Sequence, residues 1–169
     1  MTNYTQNATC CLTGHRPNKL PWGVDEEDPR CLRLKAELRG ILAGLYERGL
    51  RRFICGMALG ADMYFAEAVL ELRSLHPDVV LEAAVPCPEQ AEKWNAANRE
   101  RYERILSLCD VKTLISPRYT RSCMQERNRY MVEESSVVIG VYSGGSGGTL
   151  NTLRYALSLG RELVLAPVE

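Results

Sequence analysis

The sequence predicts an α/β domain: a three-layer α/β/α sandwich on a mostly parallel sheet of about six strands. Three observations carry this. Short apolar runs alternate with longer stretches of helical periodicity along the whole chain. That alternation is the order of parallel strands joined by right-handed crossovers. The runs are mostly unbroken apolar rather than alternating, which suits strands covered on both faces.

Each element has a local reason. Residues 8–13 (ATCCLT) read as a first strand ending at Gly14, followed by a loop over 15–29 rich in Pro, Gly and acid. Residues 30–48 place Leu34, Leu38, Ile41, Leu42 and Leu45 at helical spacing, and Gly49 stops the helix. Residues 52–55 form a second strand closed by Gly56, and 61–75 a second helix. Residues 79–85 are a third strand stopped by Pro86, and 89–108 a long helix. A fourth strand over 111–115 ends at Ser116 and Pro117, and 124–134 is helical. Residues 137–142 (VVIGVY) are a continuous apolar strand. A glycine loop over 143–148, a helix over 149–159 capped by Gly160 and a last strand over 162–166 complete a Rossmann-like order.

Bulk properties narrow the class. The 169 residues suit one domain over 1–169, since two halves would each be too small for a good core. Basic and acidic residues balance at 21 each, which argues against a duplex-DNA or membrane-surface binder. The seven cysteines include no CxxC pair and read as reduced, mostly buried thiols of a cytoplasmic protein, with no metal ligand set. The first residues lack the basic start and apolar core of a leader, and no run reaches the roughly 20 apolar residues of a membrane span.

In open α/β sheets ligands bind beyond the carboxyl ends of the strands, where strand order reverses. The segments following each strand are therefore the candidates. After the fifth strand, Ser143, Gly144, Gly145, Gly147, Gly148 and Thr149 form a glycine-rich entry to a helix. Glycines let backbone N–H groups approach an anion, the helix dipole favours the same charge, and Thr149 is placed to cap the helix and donate to a phosphate. A flexible turn would also use glycine, but its place between a buried strand and a helix start points to phosphate. After the second strand, Gly56 and Gly60 allow close approach, and Asp62 is placed to accept from ribose hydroxyls or simply to favour its helix dipole. After the first strand come Thr13, Gly14, His15 and Arg16, with Arg16 suited to bidentate phosphate contacts. Pro86 closes the third strand beside these. Trp94 is placed on the following helix, able to stack on a base or to pack. Arg127 and Asn128, in an arginine-rich stretch over 118–129, are candidates for a pocket or partner contact. No HExxH or Walker lysine is present.

These residues carry a resemblance. The loops GMALGAD (56–62) and GGSGGT (144–149), with CLTGHRP (11–17), PCPEQAEKW (86–94) and RNRYMVEESSVVIGVYSGG (127–145), resemble the SLOG superfamily. Within it they are most similar to the YpsA-like family, once called domain of unknown function 1273. The resemblance covers nearly the whole chain. It implies a Rossmann-like fold that binds a nucleotide or nucleotide-derived ligand. The superfamily includes LOG phosphoribohydrolases, which cut the N-glycosidic bond of nucleoside monophosphates, and DNA-processing protein A. LOG enzymes use a PGGxGTxxE motif, whereas this chain reads SGGSGGTLNT (143–152), with Asn151 and Thr152 where the acids stand. An amide cannot stabilise an oxocarbenium-like transition state as a carboxylate does. Asp62 remains the candidate catalytic carboxylate, with Glu67 and Glu89 as weaker ones.

The first expectation is thus a sensor or regulator of a nucleotide or ADP-ribose-like ligand, using the glycine loop for phosphate, Asp62 for ribose and His15 with Arg16 as a clamp. The alternatives are a nucleotide N-glycosidase and a nucleic-acid or protein-interaction module. Neither a membrane nor, given the charge balance, nucleic acid is the expected partner. A homodimer is expected by analogy with related folds.

Overall fold

The computed structural model describes residues 4–168. Residues 1–3 of the segment read for a leader, and residue 169, lie outside the described residues. The strands are β1 (Thr9–Gly14), β2 (Arg52–Cys55), β3 (Val80–Val85), β4 (Val111–Leu114), β5 (Val137–Val141) and β6 (Glu162–Ala166). The helices between them are α1 (Pro29–Glu47), α2 (Ala61–Leu75), α3 (Ala96–Leu108), α4 (Cys123–Glu134) and α5 (Gly148–Ser158). All five strand pairings are parallel, in the order β4-β3-β2-β1-β5-β6. The Rossmann-like sandwich is therefore present, and its sheet is wholly rather than mostly parallel.

Two cores hold the layers together, and the strand period of two sorts residues between them. Cys10, Phe53, Ala83, Val137 and Ile139 point into a larger core with Leu34, Leu38 and Leu42 of α1, Phe65 and Val69 of α2, and Ile105 of α3. Their neighbours Cys11, Ile54, Ala84 and Val138 point the other way, to Met131 and Val132 of α4 and Leu153 and Ala156 of α5. Each fully buried leucine contributes about 1.5–3 kcal/mol. The adjacent cysteines thus face opposite layers, and six of the seven free thiols are buried, Cys109 being half-buried. The edge strands depart from the fully covered pattern: Val111 and Leu114 of β4 and Leu165 of β6 are exposed.

Three local differences matter for the site. Residues 89–95 form turns, and the long helix expected from Glu89 begins at Ala96. Asn95 is the reason, because its side chain accepts from the Asn98 N–H at 2.8 Å and caps α3. Trp94 therefore sits on a turn ahead of the helix. Asp28 caps α1 in the same way, with Pro29 at the first helical position. Pro17–Lys19 forms a short 3-10 turn inside the loop after β1.

Candidate functional site

The first three crossovers after β1 run outward to β4, and the chain then returns to place β5 on the other side of β1. Strand order reverses between β1 and β5, so a crevice opens there at their carboxyl ends. A cavity of about 220 Å³ fills it, lined among others by Thr13, Gly14, His15, Arg16, Asp62, Arg127, Gly148 and Thr149. Leu12, Asn18, Lys19, Ala58, Asn128 and Met131 complete its wall. Among its walls stand three cationic side chains, Arg16, Lys19 and Arg127, against one carboxylate, Asp62.

His15 ties the crevice together. Its backbone N–H donates to Val141 at the end of β5, and its carbonyl accepts from Ala61 at the start of α2. Its side chain is buried, and Nε2 accepts from the Ser143 N–H at 3.1 Å. That bond requires Nδ1 to carry the proton of a neutral imidazole. Nδ1 is itself buried with no partner. An unsatisfied buried donor costs about 1–3 kcal/mol. Burial, and then the nearby Lys19 charge, push the imidazole pKa below its ordinary value.

Asp62 and Arg127 form the floor. Both are buried. Asp62 Oδ2 accepts from the Ala58 N–H at 3.1 Å, closing the loop after β2 onto the first turn of α2. Burial raises the Asp62 carboxyl, and the Arg127 charge partly offsets this. Arg127 donates to the Gly56 carbonyl, to Asn128 Oδ1 and to Met124 Sδ, all neutral acceptors. Burial works against its charge. Met57, between Gly56 and Ala58, is fully buried with φ at 61°, in a region a non-glycine residue enters at about 1–2 kcal/mol.

The expected site residues separate into groups. Thr13, Gly14, His15, Arg16, Asp62, Gly148 and Thr149 meet at the cavity. Gly56 stands behind it, where a Cβ would lie 2.8 Å from Arg127 Nη1 and 3.0 Å from Asp62 Oδ2. Gly60 faces an adjoining cavity, and Pro86 is buried outside both linings. Ser143, Gly144 and Gly145 are exposed, and Gly147 is half-buried; none of these four lines the cavity. Thr149 does not cap α5; Gly147 holds that position, and no side chain caps the helix. Asn151 lies outside this cavity, and Thr152 is buried with its hydroxyl donating to the Gly148 carbonyl at 2.8 Å. Glu67 is engaged by Arg101, and Glu89 is exposed. Arg127 and Asn128, weighed as pocket contacts from sequence, do line the cavity. Lys19 was not expected there. Its Nζ donates to the Ser146 carbonyl at 2.7 Å and holds the glycine loop over the crevice. Its only signal in the sequence was its place in the loop after β1.

Two further cavities adjoin this one. One of about 390 Å³ shares Arg16, Asn18 and Ala58 with it, and one of about 370 Å³ shares Asn128 and Gly148. Among the described residues no helix is long and apolar enough to cross a membrane.

Comparison with known proteins agrees with the fold. The model of the YspA SLOG family matches residues 10–158. A UPF0398 protein of Bacillus pumilus is 33% identical over 141 residues, covering 82% of this chain and 75% of the relative. The SPbeta prophage-derived protein YoqJ of Bacillus subtilis is 32% identical over 143 residues, covering 77% of this chain and 84% of the relative. Among solved structures, DNA processing protein A of Streptococcus pneumoniae superposes with a TM-score of 0.63 at 16% identity, covering 94% of this chain. The Helicobacter pylori protein of the same name, described with a single-stranded DNA binding mode, gives 0.61 at 17%, covering 95% of this chain. The chain spans 50% and 65% of those two longer proteins.

Proposed function

The chain belongs to the YspA SLOG family, and from that premise we propose that it binds a nucleotide or nucleotide-derived ligand in the switch-point crevice, as a sensor or regulator. One observation carries this reading. The crevice joins an uncapped helix start to a buried His15 donor and a buried Arg127 that meets only neutral acceptors. A phosphate would pair with the helix start and with the guanidinium, since both favour an anion.

Binding without cleavage follows from the carboxylates. Glycoside cleavage ordinarily uses two carboxylic groups flanking the bond. Asp62 is the one carboxylate among the residues lining the crevice. The test is a thermal-shift panel of nucleoside mono- and diphosphates and ADP-ribose. A ligand at 100 times its Kd adds about 2.7 kcal/mol, or roughly 5–10 °C for a domain of this size. Mass spectrometry of the hit then reads intact ligand. Released base would make the protein a hydrolase, and silence across the panel would remove the nucleotide reading.

A second reading, single-stranded nucleic acid, has its own observation. Arg121 and Arg129 line the 370 Å³ cavity that opens beside Gly148. This runs against the expectation drawn from net charge, and the Helicobacter protein of like fold is described as binding single-stranded DNA. Steeply salt-dependent retention of an oligonucleotide, lost in Arg121→Ala with Arg129→Ala, would favour it.

A further inference from the structure

The switch-point cavity, at about 220 Å³, falls below the roughly 300–1,000 Å³ of ordinary ligand pockets. A ligand seated there extends into a neighbour. The 390 Å³ cavity differs from it in chemistry: Tyr64 and Trp94 line it with Met63 and Met124, the amides of Gln90 and Asn98 stand among them, and its one carboxylate, Glu26, is held in ion pairs by Arg101 and Lys35. We propose that this second cavity is a base subsite, taking the nucleobase of a nucleoside phosphate whose phosphate lies in the switch-point crevice. The inference rests on the phosphate reading above and adds to it where the base goes and what holds it.

The two cavities adjoin, and Arg16, Asn18 and Ala58 belong to both walls. They are also tied by one acceptor. The Gly56 carbonyl receives Arg127 from the crevice side and Gln90 Nε2, at 3.0 Å, from the other. The aromatic walls are fixed before any ligand arrives. Tyr64 OH accepts from Trp22 Nε1 at 3.1 Å, and the Trp94 ring meets Tyr102 edge-on at 5.4 Å. Tyr102 in turn donates to Gln90 Oε1 at 3.3 Å. Each amide keeps polar capacity for the edge of a base: Gln90 spends one of its two N–H donors on Gly56, and the Asn98 backbone, not its side chain, meets Asn95. The third cavity is a poorer seat for a base. It offers a single aromatic residue, Tyr155, against Tyr64 and Trp94 in the second. Preformed aromatic faces with a few placed amides are what a nucleobase needs, since stacking is sequence-tolerant and edge contacts discriminate.

Trp22 and Trp94 are the two tryptophans, and Trp22 is buried. Quenching in the natural chain is therefore read against Trp94→Ala, whose remaining fluorescence is that of buried Trp22 alone. AMP, GMP, CMP, UMP, adenosine and ribose 5-phosphate are titrated by fluorescence and calorimetry against the natural protein and against Trp94→Ala, with Trp94→Phe as a milder replacement. The expected result is that at least one nucleotide quenches Trp94 and binds about tenfold more tightly than ribose 5-phosphate, the effect of one base stack. Trp94→Ala loses that advantage and Trp94→Phe keeps most of it. Equal binding of ribose 5-phosphate and every nucleotide, without quenching, overturns the base subsite and leaves the phosphate site standing. Adenosine binding with quenching, and no gain from phosphate, supports the base subsite and removes the phosphate reading. No binding of any of the six overturns both.

Discussion

The two glycine loops at the switch point use the same residue for opposite reasons. In the loop after β2, glycine is there because nothing else fits. A Cβ on Gly60 would lie 2.7 Å from the His15 carbonyl and 3.0 Å from Arg16 Cα, and its φ is +86°. In the loop after β5 the space is empty at three of the four glycines, and a Cβ on Gly147 would meet only the flexible Lys19 side chain, 2.5 Å from its Nζ. Gly144 and Gly145 have φ of +113° and +89°, and a Cβ on either, or on Gly148, would meet nothing within 4 Å. The first loop is packed architecture that sets the height of α2 over the crevice. The second is kept open, and an open, uncapped helix start beside buried donors is what a ligand would close. Glycine content alone does not separate the two.

The largest effect that would sharpen this contrast is at Gly60. Gly60→Ala adds a backbone clash and left-handed strain, so it should cost about 3 kcal/mol and lower Tm by roughly 6–12 °C in a calorimetric scan. A loss under 1 °C would mean that the loop after β2 yields, and the contrast fails. Gly145→Ala carries only the strain, about 1 kcal/mol and a few degrees.

Charge in the crevice gives effects of similar or smaller size. Burial raises the Asp62 carboxyl, so the folded state holds this proton more tightly than the unfolded chain. Stability is then lost as pH rises from the ordinary carboxylate value of 3.8 through the folded value, and the penalty is complete above both. Asp62→Asn removes it, so the variant should have the higher Tm at pH 7, with the gap closing toward pH 4. Equal Tm at both pH values would show that the carboxylate sits at no cost. His15 acts in the other direction. Its lowered pKa makes its contribution fully present above the ordinary 6.5 and lost as pH falls below it. Protonation at Nε2 breaks the bond from Ser143, so the protection of the Ser143 amide, corrected for the intrinsic slowing of exchange in acid, should fall as pH drops through the lowered folded value. Unchanged protection would place the loop's anchor on Lys19 alone.

Much of the fold was legible because strand burial and helix periodicity are local signals. The residue run VVIGVY and the leucine spacing of α1 each announced their element. Placement of α3 failed because the apolar and charged pattern over 89–95 is compatible with a helix, while Asn95 captures the Asn98 N–H and starts it later. The site was legible only where the strand-end rule reached it. Thr13 to Arg16, Asp62, Gly148 and Thr149 converge because they follow β1, β2 and β5. Pro86 also follows a strand but lies outside the cavity, since β3 stands two strands from the switch point. Lys19 was missed because its role depends on a short 3-10 turn folding back to Ser146, a contact across 127 positions of sequence.

The most direct test of the open loop is Gly148→Val. A side chain there enters free space at the mouth of two cavities and strains nothing. Calorimetric titration with the strongest ligand of the nucleotide panel should show binding weakened at least tenfold, with Tm of the unliganded protein within about 2 °C of the natural chain. Undiminished affinity in this variant would contradict the account, and the ligand would have to be sought away from the glycine loop.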